Sequence, residues 1–328
     1  MNTRIRPLMA AALLALALPI TAGAEPTLLV SGLEGASGSA VGPDGALYVT
    51  EGAVGRLTRV DPETGALTTV ASGLPPSLIG IGGAIDVAFI GETPYVLVTL
   101  VGSDLGGSSI VGIYRVDGPG EFEVIADIGA WSIANPPTID FPYLFPSGVH
   151  YALETFRGGL LVTDGHLNRV LWVTLDGEIS EFIAFGNTVP TGLAVRGNTV
   201  YMAEAGPVPH LPEDGKVVTF GPKSTSATEI AAGAPLLVDV EFGRGQKLYA
   251  LAQGVWNGTF DGQPATPDTG QLVEVNADGG FTELAEEINL PTSLEFIGNT
   301  AYVVNLVGEI WKYDDVSSPP FGVAKGRR

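Results

Sequence analysis

The 328-residue sequence contains no cysteine. That excludes a disulfide framework, a thiolate nucleophile and a lipid-modified N-terminal cysteine, so stability falls to the apolar core. Positive charge is scarce as well: 16 Lys and Arg stand against 36 Asp and Glu, a net charge of −20. A surface of that sign repels phosphate backbones and anionic lipid, which argues against nucleic acid as a partner. Only 16% of residues are charged, and the acids are scattered, which reads as a solubility surface rather than a disordered acidic tail. There is no G-x-S-x-G elbow, H-E-x-x-H, Walker loop or Gly-x-Gly-x-x-Gly fingerprint, so the common hydrolase, metalloprotease and nucleotide signatures are missing.

Long apolar runs are missing too, with one exception at the start. Arg4 and Arg6 precede an apolar stretch from Leu8 to Ile20 and the small residues Ala22-Gly-Ala24. This is the layout of a secretory signal over residues 1–24, too short for a membrane span. Its removal leaves 36 acidic and 14 basic residues, a net charge of −22, and the expected location is periplasmic or secreted.

Glycine is plentiful, with 45 copies, and it falls in a repeat. An apolar run, a Gly-rich turn and a second apolar run occur six times, as in Ala40-Val-Gly-Pro-Asp-Gly-Ala-Leu-Tyr48 and Leu294-Glu-Phe-Ile-Gly-Asn-Thr-Ala-Tyr302. The anchors Tyr48, Tyr95, Leu161, Tyr201, Tyr249 and Tyr302 are separated by 47, 66, 40, 48 and 53 residues. Short strands at that period are the pattern of propeller blades, none of which buries its faces alone. The expected fold is all-β, a six-bladed β-propeller over residues 25–316. Residues 27–30 are expected to complete the last blade and close the ring, which removes two open edges. Residues 317–328, with Pro319-Pro320 and a basic end, read as a disordered tail.

This topology puts segments entering the inner strands, and loops joining second to third strands, at one end of the ring. The long insertions at 100–110, 127–145, 205–215 and 253–270 all fall there, and long loops in a compact domain tend to carry function. Alignment of the inner strands places Asp86 and Asp239 in one register with Gly148, Gly192 and Ser293, on opposite blades. Three residues after the anchors stand Glu51, Val98, Asp164, Glu204, Ala252 and Asn305. Oxygen donors converging on one rim suit calcium, with Asp86 and Asp239 as metal ligands and Glu51, Asp164, Glu204, His210 and Asn305 as further ligand-binding residues. The same carboxylates equally suit local capping of loop N–H groups. His150 and His166 are the candidate acid–base residues, since imidazole titrates near neutrality. Trp131, Phe141, Tyr143, Phe145 and Trp256 in the inserted loops can wall a ligand pocket or pack the loops down.

Ala40-Val-Gly-Pro-Asp-Gly-Ala-Leu-Tyr-Val, Asp86-Val-Ala-Phe and Val189-Pro-Thr-Gly-Leu-Ala-Val resemble the ScyD/ScyE family of signal-bearing bacterial propellers. The resemblance implies a six-bladed, periplasmic propeller and supplies no catalytic residues. More distantly the chain is similar to NHL-repeat proteins and gluconolactonase/paraoxonase-like propellers, which implies a divalent cation in the channel held by Glu, Asn and Asp. Glu51, Asp86, Asp239 and Asn305 are of the right types. The functional expectation is a binding propeller that takes a small molecule or protein partner on its inserted face. The alternatives are a metal-dependent lactone or ester hydrolase and a lyase with a histidine base.

Overall fold

The computed structural model describes residues 26–138, 141–260 and 262–317. The signal segment 1–24 and the tail from 318 lie outside them. Among the described residues the strands form six four-stranded antiparallel sheets, and these are the six expected blades. The inner strands are Ala36–Val41, Gly83–Ile90, His150–Phe156, Pro190–Arg196, Leu237–Phe242 and Pro291–Ile297. Each turns tightly into its second strand, as at Gly45, whose φ of 79° is the left-handed conformation this hairpin requires. The first strand, Pro26–Val30, pairs with Ile310–Tyr313 and completes blade six, closing the ring as expected.

Six apolar clusters hold the blades together, and each lies between two neighbouring blades. Leu57 and Ala71 of blade one meet Val87 and Val96 of blade two. Leu97 and Ile113 of blade two meet Leu153 and Val162 of blade three. At the closure, Val30 and Leu33 pack with Leu47, Val49, Tyr302 and Val304. A strand whose two faces pack on two different sheets reads as apolar in both parities, which is why Leu248–Ala252 is buried throughout. Burial of that kind is the main stabilising term, at roughly 25 cal/mol per Å² of apolar surface.

One register differs from the sequence expectation. In blade three the residue level with Asp86, Gly192, Asp239 and Ser293 is Ala152, four positions after Gly148. The pairings decide it: Val162 faces Leu153 just as Met202 faces Leu193. Pro146-Ser147-Gly148 instead ends the long insertion, with Gly148 at φ 86° and the Ser147 hydroxyl donating to Asp104. The similar tripeptide Pro190-Thr-Gly is a strand in blade four, so the local pattern alone did not separate strand from turn.

Where the inner strands converge there is no room for side chains at two positions. A Cβ built on Gly38 would lie 2.6 Å from the Ile85 carbonyl oxygen and overlap the Asp86 carboxylate. Gly192 stands in the same relation to Asp239. Gly38→Ala and Gly192→Ala are each expected to cost about 1–3 kcal/mol in urea unfolding, the usual penalty of overpacking. Gly186→Ala, with nothing within 4 Å of its added Cβ, serves as the control that leaves the midpoint unchanged.

Candidate functional site

The six anchors stand directly across from Ala40, Ala88, Glu154, Ala194, Glu241 and Glu295 on the inner strands. Three of these six positions therefore carry carboxylates around the axis. Asp86 and Asp239 form a second layer, two residues nearer the inserted face. Together the five line an axial cavity of about 260 Å³ whose walls contain no Lys, Arg or His. The lining extends from Ser37 and Tyr151 down to Val41, Phe89 and Thr155 beside the short turns. Towards the inserted loops the cavity is crossed by Tyr151 of blade three. Its hydroxyl reaches the opposite blade, donating to the Thr292 carbonyl oxygen at 2.9 Å, with the Thr292 hydroxyl 3.1 Å away.

Inner-strand backbone supplies much of what these acids bind. Asp86 accepts from its neighbour Val87 N–H at 2.8 Å and from Leu153 N–H of the next blade at 2.7 Å. Asp239 repeats the arrangement with Val240 and Leu294. Glu154 and Glu241 each take the N–H of the following residue on one oxygen, Oε1. Removal from bulk water raises the carboxyls, and their mutual repulsion adds to it. Glu154 and Asp239 are pushed up to about 7, while Asp86, Glu241 and Glu295 lie well above the usual range.

These raised values act on stability in one direction. A carboxyl whose folded pKa exceeds its unfolded value favours the native state while protonated, and that contribution is lost as pH rises through the folded pKa. Melting temperature is therefore expected to fall between pH 5 and pH 8. Glu295→Gln, which removes one of the repelling charges, is expected to raise stability at pH 8 by on the order of 1–2 kcal/mol and to flatten the slope. Thermal melts across that pH range give both readings, and a lower melting temperature for the variant at pH 8 contradicts this electrostatic account.

The other residues singled out from sequence are not gathered at this cavity. Glu51 is buried and held by Arg56, the Thr58 hydroxyl and the Glu34 N–H. Asp164 accepts from the N–H groups of Val149 and Leu167, and Asn305 from Glu309. These three bind their own loops, the capping use of strand-end acids. Glu204 is buried with its carboxyl pushed up to about 7 by desolvation. His150 is 1% exposed and packs against Thr99 and Asp164; burial lowers its pKa. A bulge between His150 and Leu153 breaks the alternation that would have aimed it at the axis. His166 Nε2 accepts the Leu144 and Phe145 N–H groups, and His210 Nδ1 bonds the Gly206 carbonyl oxygen beside Trp256. The aromatics follow this pattern: Phe145 and Tyr143 pack on His166, and Trp131 lies against Arg169.

Asp86 and Asp239, the residues expected to hold a channel calcium, are engaged with the backbone. Both carboxylate oxygens of Asp86 and of Asp239 already accept backbone N–H groups. Among the described residues no three His, Asp or Glu side chains converge closely enough to hold a metal ion. Glu154, Glu241 and Glu295, which sequence reasoning did not single out, were legible in the repeat. They occupy one aligned column, where the other three blades carry Ala.

The inserted face has a different character. Of the sixteen exposed large apolar side chains among the described residues, thirteen lie in the connections at that end of the ring, twelve in loops and Ile133 on the short helix Ile128–Ala134. They include Leu78, Ile79, Ile81, Val255, Leu144 at 69% exposure and Phe260 at 64%. The insertion of blade five reaches across the face, where a Cβ on Gly262 would stand 3.7 Å from Ile81 Cδ1.

These features define a six-bladed β-propeller with an acidic axial cavity and an apolar, loop-covered face. Solved structures bear out the fold. A gluconolactonase from Xanthomonas campestris matches with a TM-score of 0.59 at 12% identity, covering 88% of each chain. The PQQ-bound aldose sugar dehydrogenase of Streptomyces coelicolor matches at 0.58 and 16% identity, over 93% of this chain and 97% of its own. Virginiamycin B lyase from Staphylococcus aureus matches at 0.53 and 15% identity, over 88% and 97%. At such identities the likeness is one of fold. No family model and no curated protein matches the sequence.

Proposed function

We propose that this is an exported binding propeller whose inserted face docks the apolar surface of a partner protein. The observation that carries the reading is the placement of thirteen of sixteen exposed large apolar side chains at one end of the ring. Exposed apolar residues scattered singly are ordinary, whereas a concentration on one face marks an interaction surface. The loops that present them are braced within themselves, against one another and, through Arg169, on a blade strand. Ser147 bonds Asp104, Arg169 bonds the Asn135 carbonyl oxygen, and Trp256 donates to the Gln263 carbonyl oxygen. A surface held in this way loses little conformational entropy on docking. The signal-like residues 1–24 and the ScyD/ScyE resemblance support an extracytoplasmic setting.

The comparison proteins include a lyase and a gluconolactonase. The contacts made by Asp86, Asp239 and the three histidines do not favour transferring either activity to this chain.

A photo-crosslinking residue at Leu144 or Phe260, introduced in the source cell, is expected to give one defined protein adduct. The same residue at Leu175, on the short-turn side, is expected to give none. Leu144→Glu combined with Phe260→Glu should reduce the adduct captured from position 79 at least tenfold while leaving melting temperature unchanged, since both side chains are exposed. Adducts from Leu175 alone, or capture indifferent to the two glutamates, would overturn the proposal.

A further inference from the structure

The Tyr151–Thr292 bridge crosses the axis between the cavity and the inserted face, and the chemistry of the cavity is of another kind. Backbone capping accounts for both oxygens of Asp86 and Asp239 and for one oxygen each of Glu154 and Glu241. It does not account for Glu295, which makes no side-chain hydrogen bond among the described residues, nor for the second oxygens of Glu154 and Glu241. Ser37 adds an independent sign. It is 8% exposed and lines the cavity, and its hydroxyl has no hydrogen-bond partner among the described residues. A hydroxyl at the cavity wall that no protein group engages is available to a bound donor or acceptor.

Three properties narrow the ligand. Five carboxyls with no basic side chain among them call for positive charge. No three of them converge on a point, so one bare metal ion cannot satisfy them, whereas a cation with its charge spread over a chain can. The volume of about 260 Å³ falls just below the roughly 300–1,000 Å³ of drug-sized pockets, and Ala40 and Ala88 supply apolar wall on blades one and two. We propose that the cavity binds a small aliphatic diamine, its ammonium groups donating to Glu154, Glu241 and Glu295 and its methylene chain lying against Ala40 and Ala88 of the neighbouring blades one and two. Binding is then linked to proton release, since the carboxyls must ionise to pair with the amine. The groups concerned are Asp86 on the second blade, Tyr151 and Glu154 on the third, Asp239 and Glu241 on the fifth and Glu295 on the sixth.

Calorimetry on the mature protein at pH 8 and low salt, with unbranched diamines of three to six carbons as probes, tests this. One-site binding is expected for at least one of them, with no heat from 1,4-butanediol. Glu241→Gln with Glu295→Gln should weaken binding at least tenfold, and affinity should fall as pH is lowered from 8 to 6. The glutamines are near-isosteric, and circular dichroism confirms the fold. Diol binding as tight as the diamine, affinity unchanged in the double variant, silence from all four diamines, or calcium binding stoichiometrically and displacing the diamine would each overturn the inference. Photo-crosslinking from the inserted face is indifferent to all of these outcomes, so the two proposals fail separately.

Discussion

An unpaired strand edge runs down the inside of every blade, and the rest of the molecule is arranged around it. Six inner strands meet at the axis with no seventh element to accept their hydrogen bonds, and buried N–H groups without partners are costly. The chain answers with carboxylates from the strands themselves. Asp86 and Asp239 each take one N–H from their own strand and one from the next blade. They stitch blade two to three and blade five to six, on opposite sides of the ring. Gly38 and Gly192, which leave room for these aspartates, complete a pseudo-twofold relation between the two halves. The acid that solves the edge problem also gathers carboxyls at the axis, and from that follow the raised pKa values.

The two ends of the ring are chemically opposed for a related reason. Tight turns at one end leave short polar hairpins, while the connections that cross between strands at the other end tolerate insertion. Loop length costs little entropy once the ends are fixed by the blades. The apolar residues gathered on those insertions therefore burden the fold very little. The Tyr151 bridge spans the axis between that face and the acidic cavity.

Much of this was legible in the sequence. The period of the anchors gave the number of blades, and Gly-rich turns marked the hairpins. The apolar strand at residues 27–30 had no other place to pair than the last blade. Asp86 and Asp239 were recognised as opposed acids because their strands aligned without insertion. The error fell in blade three, where Pro146-Ser-Gly mimics Pro190-Thr-Gly and the long insertion before it leaves the strand start unmarked. His150 inherited that error, because a bulge redirects side chains in a way that alternation cannot report. Glu154, Glu241 and Glu295 were passed over although they stand beside the anchors in every alignment of the repeat.

By itself the sequence determined the repeat, the closure of the ring, the sign of the charge and the end at which the insertions gather. These depend on local periodicity and on the order of strands, both written along the chain. Only the tertiary structure decided which acids are spent on backbone N–H groups and which remain free. It also decided that strand-end acids such as Glu51 and Asp164 bind their own loops, and that a tyrosine from blade three reaches across the axis to blade six. Those outcomes rest on contacts between residues as far apart as Tyr151 and Thr292, whose meeting no local pattern encodes.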